Sequence, residues 1–197
     1  PMKIICMGDS ITYGHGLSDL SQRWTDLVAA RTGHTLVNRG VSGDTSGGML
    51  ARCQNQVFAQ SPDAMVFLGG INDINLTGAY RPVCANVVAI TRQAMALDLP
   101  IILGLPLPIA PEDMHVMDWD KTCDPARSAA LGEEYAQWMR VFCTAKDLPL
   151  ADFRTPFLHP DGTVRRELFQ DGLHPTAEGH ALMADVLCQV LSERFPG

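Results

Sequence analysis

The apolar run at residues 3–7 (KIICM) breaks into Gly8-Asp9-Ser10, and near the other end of the chain Asp171 and His174 stand three residues apart in DGLHPTAEGH. A hydroxyl, an imidazole and a carboxylate are the groups that acyl transfer needs. One imidazole nitrogen holds the serine proton while the carboxylate fixes the tautomer. Two further stretches could supply donors for a developing oxyanion. In NRGVSGDTSGG, Gly40 lets the backbone turn tightly and present an N–H; in GGINDI, Asn72 brings a neutral side-chain amide. Each stretch also has a plainer reading. Gly-Asp-Ser can be a turn with a helix-capping serine, Gly40 a turn glycine and Asn72 an Asx-turn.

What distinguishes them is where the elements put them. Short apolar runs at 3–7, 35–37, 64–68, 100–105 and 148–151 read as buried strands. Helical stripes lie between or after them: Trp24, Leu27, Val28 and Arg31, closed by Gly33; Val83, Val87, Ile90, Ala94 and Leu97; Leu131, Tyr135, Trp138 and Phe142; Leu182, Val186 and Val190. Strands alternating with helices predict a three-layer α/β/α domain with a five-stranded parallel sheet and right-handed crossovers. In such a sheet ligands bind beyond the carboxyl ends of the strands, where Ser10, Gly40 and Asn72 fall. In a 2-1-3-4-5 order the fifth strand lies about 15 Å from the first. The segment from Asp152 to Asp171 can extend ~65 Å, so it reaches.

The 197 residues point to one domain spanning 1–197, with a core of its own. A net charge of −7 without any basic run argues against nucleic acid or an anionic membrane as partner. No apolar stretch approaches the ~20 residues of a membrane span. Six scattered cysteines (Cys6, Cys53, Cys84, Cys123, Cys143, Cys188), with no C-x-x-C pair, read as mostly buried, reduced thiols. The N-terminal residues show no signal-peptide pattern, so a cytoplasmic site is expected unless a targeting segment preceded Pro1.

The four stretches together resemble the four blocks of the SGNH hydrolases, also called GDSL esterases and lipases, over nearly the whole chain. Gly8-Asp9-Ser10 matches the nucleophile block, Gly40 in Asn38-Arg39-Gly40 the glycine block, Gly70-Ile71-Asn72-Asp73 the asparagine block and Asp171-Gly172-Leu173-His174 the D-x-x-H block. The resemblance implies a flavodoxin-like fold and hydrolysis of acyl esters or thioesters without cofactor or metal. Ser10 would be the nucleophile, His174 the base and Asp171 its orienter, with an oxyanion hole made by Ser10, Gly40 and Asn72. SGDTSGG resembles lysophospholipase- and arylesterase-like members, which suggests small or medium acyl groups; carbohydrate O-deacetylation is the alternative within the family.

The remaining residues carry less. His174, His180 and Asp171 lack a third strong metal ligand, and His180 reads as a surface or packing residue of the last helix. His15 lines the cleft mouth or sits in a solvated turn, and Asp9 and Asp73 are expected to hold loop N–H groups. His34, His115 and His159 give no signal. PLPIAPEDMHVMDWDKTCDP, with Met114, Met117 and Trp119, forms either an apolar wall over an acyl chain or a solvated loop. A non-catalytic flavodoxin-like binding module and a nucleotide- or flavin-binding protein are the readings from other classes; no G-x-x-x-x-G-K-[ST] and no G-x-G-x-x-G after a strand supports the latter. The oligomeric state is not readable.

Overall fold

The computed structural model describes residues 1–115 and 122–197. Five parallel strands, β1 (Lys3–Gly8), β2 (Thr35–Gly40), β3 (Ala64–Leu68), β4 (Ile101–Gly104) and β5 (Leu150–Ala151), form one sheet in the order 2-1-3-4-5. Between and after them come α1 (Ser10–Tyr13), α2 (Trp24–Thr32), α3 (Ser46–Gln56), α4 (Ile71–Thr77), α5 (Arg81–Ala96), α6 (Pro125–Lys146) and α7 (Ala177–Arg194). Both sheet faces are covered, which is why the central strands read as unbroken apolar runs rather than alternating ones. Ile4, Cys6, Val66 and Ile102 pack with Trp24, Val28, Met183 and Leu187 on the α2/α7 side. Ile5, Met7, Met65, Phe67 and Leu103 pack with Met49, Val87, Ile90, Tyr135 and Met139 of α3, α5 and α6 on the other.

The expected elements are present, with changes at their ends. β2 runs three residues further than its apolar core, so Gly40 is the last residue of the strand, paired with Gly8. β5 shrinks to two residues. Leu97 lies beyond the end of α5 and is 58% exposed, so it leaves the stripe in which it was expected. Gly33 closes α2 in the left-handed conformation, as its position predicts. Cys6, Cys53, Cys84 and Cys143 are buried, and burial pushes the Cys53 thiol up to about 11. No helix among the described residues is long and apolar enough to cross a membrane.

The stretch between Asp152 and Asp171 is not an open loop. It holds two short 3-10 turns, Thr155–Phe157 and Arg166–Leu168, and buries Phe153, Phe157, Leu168 and Phe169 against the α2/α7 core. An antiparallel bridge between Phe169 and Pro175 then closes a small loop whose tip carries residues 171–174. Its rungs are Gln170 N–H to His174 O at 2.8 Å and Thr176 N–H to Leu168 O at 2.8 Å. Burial of aromatic side chains thus fixes the loop that carries Asp171 and His174 at the sheet edge.

His180 is fully buried on α7, where its Nδ1 accepts the Trp24 N–H at 3.1 Å. It is a packing residue, apart from the cleft. Burial, aided by the Arg23 charge, lowers its imidazole from 6.5 to about 4. A depressed folded value means that the contribution is complete above about pH 6.5 and lost as pH falls toward 4. Buried Asp9, pushed up to about 6 chiefly by desolvation, acts in the opposite sense, since acid relieves it. The test is therefore a comparison with His180→Asn, which keeps an acceptor but does not titrate. Between pH 7 and 4, urea unfolding should show the wild type losing on the order of 3 kcal/mol relative to that variant. A constant difference would refute the assignment.

Candidate active site

The carboxyl end of β1 delivers Ser10 to the crevice. Asp9 caps α1, its Oδ1 accepting the Ile11 N–H at 2.9 Å, and Ser10 becomes the first residue of that short helix. The Ser10 N–H, in the first turn, donates to no group among the described residues. Its Oγ lies 3.0 Å from His174 Nε2, and His174 Nδ1 lies 2.6 Å from Asp171 Oδ2. The second carboxylate oxygen, Asp171 Oδ1, accepts the backbone N–H groups of Leu173 at 3.0 Å and His174 at 2.7 Å. Burial opposes ionisation of Asp171. The His174 ring and these N–H groups outweigh it and hold the carboxyl well below the usual carboxylate range. An ionised carboxylate only accepts, so Nδ1–H donates its hydrogen bond to Asp171, and Nε2 is the ring nitrogen that faces Ser10 Oγ.

Asn72, on the first turn of α4, donates one amide hydrogen to the Asp44 backbone oxygen at 2.9 Å. The other has no acceptor among the described residues, and Asn72 lines the cavity. Asp44 is fixed in turn by Arg52, whose Nε donates to Asp44 Oδ2 at 2.8 Å. The same guanidinium donates to Arg39 O, Gly8 O and Gln56 Oε1, each at 2.8 Å. Asp73 accepts the Ser46 N–H and hydroxyl at 2.9 and 2.8 Å, so it ties α4 to α3. Asp9 and Asp73 thus take the structural bonds expected of them.

Gly40 does not sit where a donor is needed. Its N–H is already donated to Asn38 Oδ1 at 2.9 Å, and it does not line the cavity around Ser10. It is glycine because a Cβ there would fall on the Tyr13 backbone nitrogen, so the residue lets α1 approach β2. The correction is one of register. The strand continues through Gly40, and the turn past its end brings Ser42 and Gly43 into the cavity instead. Gly43 has φ +82°, and its N–H donates to nothing among the described residues. The signal was in the sequence as the SGD turn after Val41.

The cavity measures about 490 Å³ and is lined by Ser10, Asn72, Asp171 and His174 together with His15, Ser42, Gly43, Asn75, Leu76, Met114, His115, Cys123 and Leu173. His15 is exposed, and its ring centroid lies 4.5 Å from that of His174, so it belongs to the cleft mouth. Met114 lines the cavity as one of the expected wall residues; Met117 and Trp119 lie outside the described residues. Among the described residues no group of three or more His, Cys, Asp and Glu could hold a metal.

A parallel α/β sheet with a serine, an imidazole and a carboxylate in hydrogen-bond sequence at its carboxyl edge is the architecture of a carboxylic ester hydrolase. The chain belongs to the GDSL-like lipase/acylhydrolase family, whose sequence pattern matches residues 6–182. It is 32% identical to esterase TesA of Pseudomonas aeruginosa over 178 residues, which cover 87% of this chain and 79% of that one. Among solved structures it resembles the lipase/acylhydrolase from Enterococcus faecalis (TM-score 0.78, 24% identity, 98% of this chain and 97% of that one). It also resembles the acetyl xylan esterase AlAXEase (TM-score 0.76, 20% identity, 96% of this chain and 100% of that one). At these identities the two structures establish the fold.

Replacing Arg52 by Met removes the guanidinium bonds to the Gly8 and Arg39 carbonyls and to the Asp44 carboxylate, although Gly8 O keeps the Val41 N–H and Asp44 Oδ1 keeps the Thr45 N–H. We expect a stability loss of about 1–3 kcal/mol by urea unfolding. Ester turnover should fall with it as Asn72 loses its anchor. An unchanged midpoint and rate would show that Arg52 is a bystander.

Proposed function

We propose that residues 1–197 act as one domain that hydrolyses neutral carboxylic esters through an acyl-enzyme, with Ser10 as nucleophile, His174 as base and Asp171 as its orienter. The observation that carries this reading is the continuous contact from Ser10 Oγ to His174 Nε2 at 3.0 Å and from His174 Nδ1 to Asp171 Oδ2 at 2.6 Å. Ser10 Oγ attacks the acyl carbonyl carbon as its proton passes to His174 Nε2, giving a tetrahedral oxyanion and an imidazolium that Asp171 stabilises. The Ser10 N–H, the free Asn72 amide hydrogen and the Gly43 N–H are the donors for that oxyanion, Gly43 replacing Gly40 in this role.

Collapse of the intermediate breaks the carbonyl–alkoxy bond, and the departing oxygen takes the proton from His174 to leave as alcohol. Water then attacks the acyl-serine and gives a proton to Nε2, which returns it to Ser10 Oγ as the carboxylic acid departs. Thioesters would follow the same course with a thiol as leaving group. Removal of an acetyl group from a carbohydrate is the same reaction with a different alcohol, and the polar residues Ser42, Asn72 and Asn75 in the cavity favour keeping it as the second reading.

Hydrolysis of p-nitrophenyl esters from acetyl to dodecanoyl by the wild type and by Ser10→Ala tests the assignment. We expect the variant to lose at least about 10³-fold in kcat and to escape labelling by a fluorophosphonate that marks the wild type. Retained turnover in Ser10→Ala would remove the nucleophile.

A further inference from the structure

α4 carries two asparagines three residues apart, a spacing that puts Asn72 and Asn75 on one helix face. Both line the cavity that holds Ser10 and His174. Their amides are treated differently. Asn72 is anchored by Asp44 O, whereas Asn75, only 6% exposed, has its Oδ1 buried without a partner among the described residues, and no hydrogen bond among them holds its Nδ2. Buried side-chain amides are ordinarily paired, because an unpaired one forfeits its solvation. No structural role explains this one: it caps no helix and braces no loop, as Asp9 and Asp73 do.

The Asn75 amide can turn about a broad two-fold torsion and present either its oxygen or its NH₂ to the cavity, since no bond among the described residues holds it in one sense. A hydroxyl suits such a group, because it both donates and accepts. An anionic group suits it less. No Lys or Arg is among the described residues lining the cavity, and the Asp171 carboxylate faces it. A phosphate or sulfate would therefore enter without a counter-charge.

We propose that Asn75 is a specificity-determining residue that reads a hydroxyl on a neutral ester substrate, within reach of the scissile bond. This rests on Ser10-dependent ester hydrolysis as set out above. The hydroxyl can belong to the acyl part or to the alcohol, and matched substrates separate the two sources. Ethyl 3-hydroxybutyrate against ethyl butyrate probes the acyl side; 2-hydroxyethyl butyrate against ethyl butyrate probes the alcohol side.

The quantity to measure is the ratio of kcat/KM within each pair, for the wild type, Ser10→Ala and Asn75→Leu. In the wild type one hydroxylated ester should be preferred by about tenfold, the worth of one hydrogen bond to a neutral group. Asn75→Leu, close in size and apolar, should bring that ratio to about 1. Should the leucine variant fail to fold, Asn75→Ser, with a shorter hydroxyl, must still lower the ratio. Ser10-dependent turnover without preference in either pair would overturn the role of Asn75 alone, as would a preference that survives in Asn75→Leu. Turnover equal in wild type and Ser10→Ala would overturn the ester-hydrolase reading and this inference with it.

Discussion

The guanidinium of Arg52 is the point at which the sheet and the site become one object. It reaches from α3 to the carbonyls at the ends of β1 and β2 and to the carboxylate of Asp44, all within 2.8 Å. A carbonyl oxygen has two lone pairs, and that of Gly8 accepts the Val41 N–H at 3.1 Å as well as the guanidinium. By bonding the Gly8 and Arg39 carbonyls together, Arg52 ties the ends of both strands to α3. Ser10 follows two residues after one of them. The turn with Ser42 and Gly43 follows the other, and Asp44 passes the constraint on to Asn72. The positions of the Ser10 hydroxyl and the Asn72 amide are therefore not independent.

Much of this was legible because periodicity and position act together. The strand runs at 3–7 and 64–68 are buried on both faces, so they could be read from composition, and the loops after them had to lie in the crevice. The Asp171–His174 pair was legible from spacing, because a D-x-x-H tip lets one carboxylate take two backbone N–H groups and still face the ring. Gly40 was misplaced because an apolar run marks only the buried part of a strand. The polar end of β2, Asn38 to Gly40, continues the ladder on an edge where burial is incomplete. The 2-residue β5 and the aromatic packing after Asp152 were hidden for a related reason: irregular backbone that buries Phe153 and Phe157 has no period to detect.

The buried ionisable groups divide by what surrounds them. Asp171 keeps its charge because N–H groups and an imidazole face it, whereas for Asp9, one residue before the serine, burial outweighs its backbone N–H bonds and pushes the carboxyl up to about 6. Two carboxylates close to one imidazole thus have separate characters. One serves the ring, and the other serves the backbone of α1.

Ser10 and His174 are 164 residues apart in sequence and meet only through the loop closed at Phe169 and Pro175. Their contact is therefore purely tertiary: undocking of that loop separates hydroxyl from imidazole even where the β1–β3 ladder is intact, so the 3.0 Å approach reports on the packing of Phe157, Leu168 and Phe169 as much as on the two residues themselves.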